Sequence, residues 1–297
     1  MASLVGGTLG AYRIEAIIGH GATGDVYLGA HLYRAQHAAI KVLQLANAAD
    51  PAFPTRFHAT FERVAALQHP HIVHILEFGE EDSVCFIVME PVTAGSLKMF
   101  MQQQPPGQPL PIMLTVSLGC QAAEGLAHAH ARGIVHKDFK PSNLLLDHPA
   151  MLADDTGAYT LKVTDFGLAQ LAESSSELTT TGVLLGSGLM LGSPTYMPPE
   201  LCRGRPLDAR SDIYALGVVL YEMATGYPPF HITSLRDALH MHVFTPPPMP
   251  HLLNPELPTA LEEVILRCLA KRPEDRFDTA GELAGALRVV IPAMGAS

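Results

Sequence analysis

His136-Lys137-Asp138-Phe139-Lys140-Pro141-Ser142-Asn143, followed downstream by Asp165-Phe166-Gly167, decides how this chain is read. The first stretch holds an acid that could accept a hydroxyl proton, a lysine that could meet a phosphate, and an amide. Asn143 and the later Asp165 together offer the oxygen donors that a hard cation such as magnesium prefers. Leu144-Leu145-Leu146 and Leu161-Lys162-Val163 read as strands that would hold both ligands on rigid elements.

Upstream, alternation and β-branching predict strands at Tyr12 to Ile18, Gly24 to Gly29 and His37 to Leu43. Between the first two lies Gly19-His20-Gly21-Ala22-Thr23-Gly24, a GxGxxG spacing that dinucleotide folds share. A dinucleotide site needs a helix directly after the glycines. Here Val26, Leu28 and Ala30 alternate with other residues and predict a strand, so the glycines close a hairpin. A helix is expected from about Pro54 to Gln68, with Phe57, Phe61, Val64 and Leu67 on one face and His69-Pro70 as its end. Strands at Ile72 to Glu77 and Val84 to Met89 lead into an extended Glu90-Pro91-Val92-Thr93-Ala94-Gly95. Beyond Ser96 the pattern turns helical, at Ile112 to Arg132, Asp212 to Thr225, Ser234 to His242, Thr259 to Ala270 and Thr279 to Val290. Sheet first and helices afterwards implies two lobes.

Bulk properties narrow the function. The 297 residues suffice for a sizeable core, and a net charge of -10 without a Lys/Arg run argues against a nucleic-acid partner. The cysteines at 85, 120, 202 and 268 form no CxxC pair, which points away from zinc or a disulfide framework. His69, His71 and His74, like His128 and His130, sit in apolar surroundings and read as packed or solvated rather than metal-ligating. No apolar run spans a bilayer and no signal peptide is evident, so no membrane segment is expected.

Over about residues 10 to 290 the joint motifs resemble the eukaryotic-type protein kinases, most of all the bacterial Ser/Thr kinases. The resemblance implies an α+β, bilobal fold: an N-terminal extension at 1–9, a kinase domain at 10–290, and a tail at 291–297. Within the domain it implies a sheet-rich N-lobe (10–91) with one main helix and a larger helical C-lobe (96–290). It further implies ATP and Mg2+, with γ-phosphoryl transfer to protein Ser/Thr hydroxyls. Asp138 would orient the acceptor hydroxyl, Lys140 would stabilise the transferring phosphate, and Asn143 and Asp165 would hold the metal. Gly19, His20, Gly21 and Gly24 would cover the phosphates, and Lys41 would reach the α- and β-phosphates. Val26 and Ala39 above and Leu145 below would enclose adenine, with Met89 as gatekeeper and the backbone of Glu90 and Val92 as hinge. Ser193 would bond Asp138 and Lys140, Glu200 would pair with Arg276, and Asp212 would brace the catalytic loop. Localisation is expected to be cytoplasmic, including as the cytoplasmic domain of a membrane receptor.

Two positions depart from the family pattern. Thr60 stands where the helix before His69-Pro70 should carry the glutamate that pairs with Lys41. Glu62 lies about 200° around the helix from that face. Either the helix distorts so that Glu62 serves, or Lys41 finds another carboxylate such as Asp165, or the pair is absent and activity is low or lost; the rival for the whole chain is a pseudokinase acting as a nucleotide-binding or interaction module. The five catalytic positions being intact favours weakened but real catalysis. Lys137 replaces an arginine that commonly receives an activation-segment phosphate, and a point charge lacks the bidentate fork. Ser174-Ser175-Ser176 and Thr179-Thr180-Thr181 are candidate autophosphorylation sites, for which a dimer would supply the second copy. A small-molecule phosphotransferase on the same fold fits the Glu200 and Arg276 features less well.

Overall fold

The computed structural model describes residues 4–21, 23–43, 52–82, 84–147, 159–173 and 193–294. Six antiparallel strands form one sheet: β1 (Thr8–Leu9), β2 (Tyr12–Gly21), β3 (Gly24–His31), β4 (His37–Leu43), β5 (Ile75–Glu81) and β6 (Val84–Met89). Their spatial order is β1-β2-β3-β4-β6-β5. Thr8 pairs with Arg13, so the sheet already starts inside the segment expected as an extension.

Strand parity explains which side chains reach the centre of the molecule. In β4, Ala38, Ile40 and Val42 bury against Tyr12, Ile14 and Tyr27 on one face. Ala39 and Leu43 join the main core on the other face, so Lys41 is carried inward with them and is only 4% exposed. Cys85, Ile87 and Met89 of β6 line the same side. Against it packs α1 (Phe53–Ala65) through Phe53, Phe57, Phe61 and Val64, a stripe at helical spacing.

Two predicted boundaries shift where the lobes meet, each for its own reason. The helix ends at Ala65 rather than Gln68, because the residue before Pro70 is excluded from the helical region and Leu67 turns back onto Val64 O. Strand β5 begins at Ile75 rather than Ile72 because the preceding residues pair elsewhere. Val163 N donates to His71 O at 3.0 Å and Val73 N to Val163 O at 2.9 Å. This stitch ties the α1–β5 connection to the second lobe.

That lobe contains a hairpin of β7 (Leu144–Asp147) and β8 (Thr160–Val163), with Leu144 opposite Val163. Its helices are α2 (Leu97–Gln102), α3 (Ile112–His130), α4 (Leu168–Glu173), α5 (Pro199–Cys202), α6 (Ala209–Thr225), α7 (Leu235–Phe244), α8 (Thr259–Cys268) and α9 (Ala280–Met294). α6 is buried on nearly every side from Ser211 to Thr225. It starts three residues before the expected Asp212, where Asp208 and Ser211 form a reciprocal cap. The short α2, α4 and α5 escaped the periodicity reading, which needs longer windows. Ser174–Ser176, Thr179–Thr181, the apolar stretch 183–191 and Ala22 of the glycine segment lie outside the described residues.

Candidate active site

The site is built around the turn from His136 to Asn143. Asp212, 1% exposed on α6, accepts from His136 N at 2.8 Å and from Lys137 N at 2.9 Å, which holds two successive amides in one orientation. Lys137 takes a left-handed φ of 67° there. The His136 ring accepts from Asp138 N (3.3 Å) through Nδ1 and donates through Nε2 to Thr164 O (2.8 Å), so one neutral tautomer joins the turn to the residue before Asp165. Asp212 was expected to brace this loop, and it does. Its further contact with His130 Nε2, at 2.8 Å, was not anticipated.

Within the turn Lys140 Nζ donates to Asp138 Oδ2 at 2.5 Å, and Asn143 Nδ2 donates to Asp138 O at 2.8 Å. Thr164 N donates to Asn143 O at 3.0 Å, which sets the Asn143 turn beside the Asp165 segment. Asp165 has φ 68° and receives Lys41 Nζ on Oδ2 at 2.6 Å. The lysine of the small lobe and the carboxylate of the large lobe therefore form a direct, largely buried ion pair.

Of the three readings of Lys41, this geometry matches the second. Thr60 and Val64 face the site, since a Cβ placed on Gly167 would lie 2.9 Å and 3.0 Å from their methyl groups. Glu62 is exposed, as expected. α1 thus meets the Asp165 segment through methyl contact rather than through charge.

The glycine segment is a strand-turn-strand hairpin, as expected: Gly19 pairs with Val26, His20 with Asp25 and Gly21 with Gly24. His20 Nδ1 and Asp25 Oδ1 lie 2.8 Å apart across it. Gly24 has φ 145°, and a Cβ there would fall 1.9 Å from Val42 O, so only glycine lets this strand run so close to β4. Behind the hairpin Ala39 and Met89 are buried, Val26 and Leu145 half-buried. Glu90 N bonds His74 O (3.0 Å), while its carbonyl and Val92 N, both in the segment expected as hinge, take part in no bond among the described residues. One contact was invisible in sequence. Glu90 Oε1 accepts both His74 N and Lys162 Nζ at 2.8 Å, tying the hinge to β8 three residues before Asp165.

On the Asp138 side the site is bounded by the segment from Ser193 to Glu200. Arg276 reaches Glu200 through both terminal nitrogens, at 2.7 and 2.8 Å, and Ser211 adds a hydroxyl at 3.0 Å. Burial alone would raise the Glu200 carboxyl, but the Arg276 guanidinium overcomes that and holds it below the usual carboxylate range. Ser193 lines one depression with Lys137, Asp138 and Tyr196. No hydrogen bond joins its hydroxyl to Asp138 or Lys140 among the described residues.

Sequence reading passed over His242, which is fully buried on α7. Its Nε2 lies 3.0 Å from Pro194 O and its Nδ1 2.8 Å from Tyr214 OH. Burial first, and the Lys271 charge second, push this imidazole down to about 4. Between pH 6.5 and 4 the unfolded chain therefore binds a proton that the native state refuses. Stability present above about pH 6.5 is lost as pH falls toward 4, by up to about 3 kcal/mol. His242→Phe should flatten that part of the profile, so its thermal midpoint gains on wild type between pH 7 and pH 5. Parallel midpoints across that range would contradict the assignment.

Comparison with known proteins places the chain among close relatives. The protein kinase domain model matches residues 12–284. The chain is 37% identical over 288 residues to serine/threonine-protein kinase Pkn1 of Myxococcus xanthus, covering 97% of this chain and 39% of that one. It is 36% identical to serine/threonine-protein kinase PrkC of Bacillus subtilis, covering 96% and 41%. The chain thus spans about two-fifths of the length of these relatives. The crystal structure of the Mycobacterium tuberculosis PknI kinase domain superposes with a TM-score of 0.72 at 30% identity, covering 97% of this chain and 99% of that one.

Proposed function

The chain belongs to the protein kinase family, and from that premise we propose that it transfers the γ-phosphoryl group of ATP to serine or threonine hydroxyls of protein substrates. The observation that carries the reading is the convergence of Lys41, Asp165, Asn143, Lys140 and Asp138 through bonds that link both lobes.

In this reading Asp138 orients the acceptor hydroxyl and takes its proton late in transfer, while Lys140 neutralises the charge between acceptor and phosphate. Lys41 meets the phosphates nearer the base, and Asp165 keeps it extended toward them. Asn143 contributes its amide oxygen, since its nitrogen is already engaged by Asp138 O. That oxygen and the Asp165 carboxylate suit magnesium, a hard ion. Among the described residues no group of three or more His, Cys, Asp or Glu forms a metal cage. Two oxygen donors leave most of the coordination of a magnesium ion to other ligands, so the set fits an ion that arrives with nucleotide phosphates. When bound, magnesium supplies charge neutralisation on the phosphate oxygens.

The rival reading, a pseudokinase, draws on Thr60. Labelled Mg-ATP with a generic basic protein substrate separates the two: label on serine or threonine, lost in Lys41→Met, supports transfer, and its absence from wild type favours the rival. Autophosphorylation within a dimer and a cytoplasmic location, including attachment to a membrane receptor, belong to the same proposal. No helix among the described residues is long and apolar enough to cross a membrane. The substrates and partners of a protein as long as the relatives are likewise part of what is proposed.

A further inference from the structure

The turn Pro194–Tyr196 sits beside Asp138, in the wall of the depression that Ser193 and Met197 also line. It is held from two sides by groups on different helices. Tyr196 OH donates to Glu222 Oε2 of α6 at 2.6 Å. On the other side the His242 ring stands edge-on to Phe230, centroids 5.2 Å apart, and to Tyr214, 5.7 Å apart. Lys271 Nζ lies 4.5 Å from the Phe230 ring centre, and donates to Met241 O at 3.1 Å. The two polar contacts of His242 fix its tautomer. Its Nε2–H donates to Pro194 O, and its Nδ1 accepts the Tyr214 hydroxyl.

A fully buried imidazole with both nitrogens used is a rigid spacer between α6 and this turn. It touches none of the groups assigned to ATP. Shifting the turn would change the space over Asp138 and leave the Lys41–Asp165 pair where it is.

We propose that His242 is a positioning residue for the protein substrate: through Pro194 O it sets the height of the Ser193–Met197 turn, and hence where the acceptor residue rests relative to Asp138. This rests on the kinase reading above. The depressed proton affinity of the ring keeps the spacer in one state at neutral pH.

The test uses the whole chain with His242→Phe, which keeps an aromatic ring and removes both hydrogen-bonding nitrogens, and Tyr214→Phe, which removes only the hydroxyl. Three quantities are read: KM for a serine/threonine peptide, KM for Mg-ATP, and amide hydrogen exchange across 193–199. Loss of one buried hydrogen bond is worth roughly fivefold. His242→Phe should therefore raise the peptide KM roughly fivefold and leave the ATP KM within about twofold, a split that a merely structural defect would not give. Exchange at Tyr196 and Met197 should quicken. Tyr214→Phe should move the same quantities less, and it carries the prediction if His242→Phe does not fold. An unchanged peptide KM, or an ATP KM rising in parallel, overturns the proposal. If wild type phosphorylates no peptide, the kinase reading has failed instead. Exchange alone then decides, and an unaltered rate at Tyr196 and Met197 overturns the spacer.

Discussion

Asp138→Asn should lower phosphoryl transfer by about 10²- to 10⁴-fold, the range that a positioned acid or base contributes. The substitution is nearly isosteric. The shorter contact from Asn143 Nδ2, at 2.8 Å, goes to the backbone oxygen of residue 138, with a longer one of 3.4 Å to the carboxylate, and the Asp212 clamp holds His136 N and Lys137 N, so the turn keeps its main bonds without the carboxylate charge. What is lost is the negative oxygen that Lys140 approaches at 2.5 Å. Since the proposed reading puts Asp138 on the acceptor side, Mg-ATP affinity should change by less than about threefold, which a fluorescent nucleotide titration would read. A transfer rate within tenfold of wild type would mean that another group takes the hydroxyl proton.

The second large effect is on the fold. Arg276 is 1% exposed, and besides Glu200 it donates to Ala270 O and Arg210 O, each at 2.8 Å, while its guanidinium lies 4.9 Å from the Tyr214 ring centre. Arg276→Met would leave the Glu200 carboxylate buried without a counter-charge, with the Ser211 hydroxyl as its remaining side-chain partner among the described residues. Removing one partner of such a pair costs about 3–5 kcal/mol. That is a large share of the roughly 5–15 kcal/mol that keeps a domain folded. Urea denaturation should show it as a lower midpoint. Adding Glu200→Gln to Arg276→Met should recover part of the loss, because the unpaired charge is then gone. A single variant within 1 kcal/mol of wild type would show that the pair is not buried in solution.

Tyr214 connects this anchor to the acceptor turn. One face of its ring lies near Arg276, and its hydroxyl bonds His242. The residues that hold the end of the Ser193–Glu200 segment and those that set its height therefore share one buried side chain.

Much of this was legible before any coordinates. The parity of β4 sends Lys41 inward, the residues after the glycines alternate as a strand, and the Phe57, Phe61, Val64 stripe turns Glu62 outward. Each is a local rule, and each holds in the fold. What was not legible depends on residues far apart in sequence. The Glu90–Lys162 pair spans 72 positions and the His242–Pro194 contact 48. No periodicity singles out a lysine on a short strand or a histidine in an amphipathic helix. The displaced start of β5 has the same origin, since residues 71–73 gave up their expected ladder to pair with Val163. Thr60 was recognised as a departure, but its consequence needed the structure, which shows Asp165 taking the lysine.

The central claim is that Lys41 takes its counter-charge from Asp165, so that α1 need supply none. The most direct measurement is the initial rate of phosphate transfer from labelled Mg-ATP by Glu62→Gln, set against wild type and Lys41→Met. The account predicts that Glu62→Gln stays within about twofold of wild type while Lys41→Met loses nearly all activity. A fall in Glu62→Gln as deep as that in Lys41→Met would show that α1 turns its carboxylate to Lys41 in the working enzyme, and the claim would be wrong.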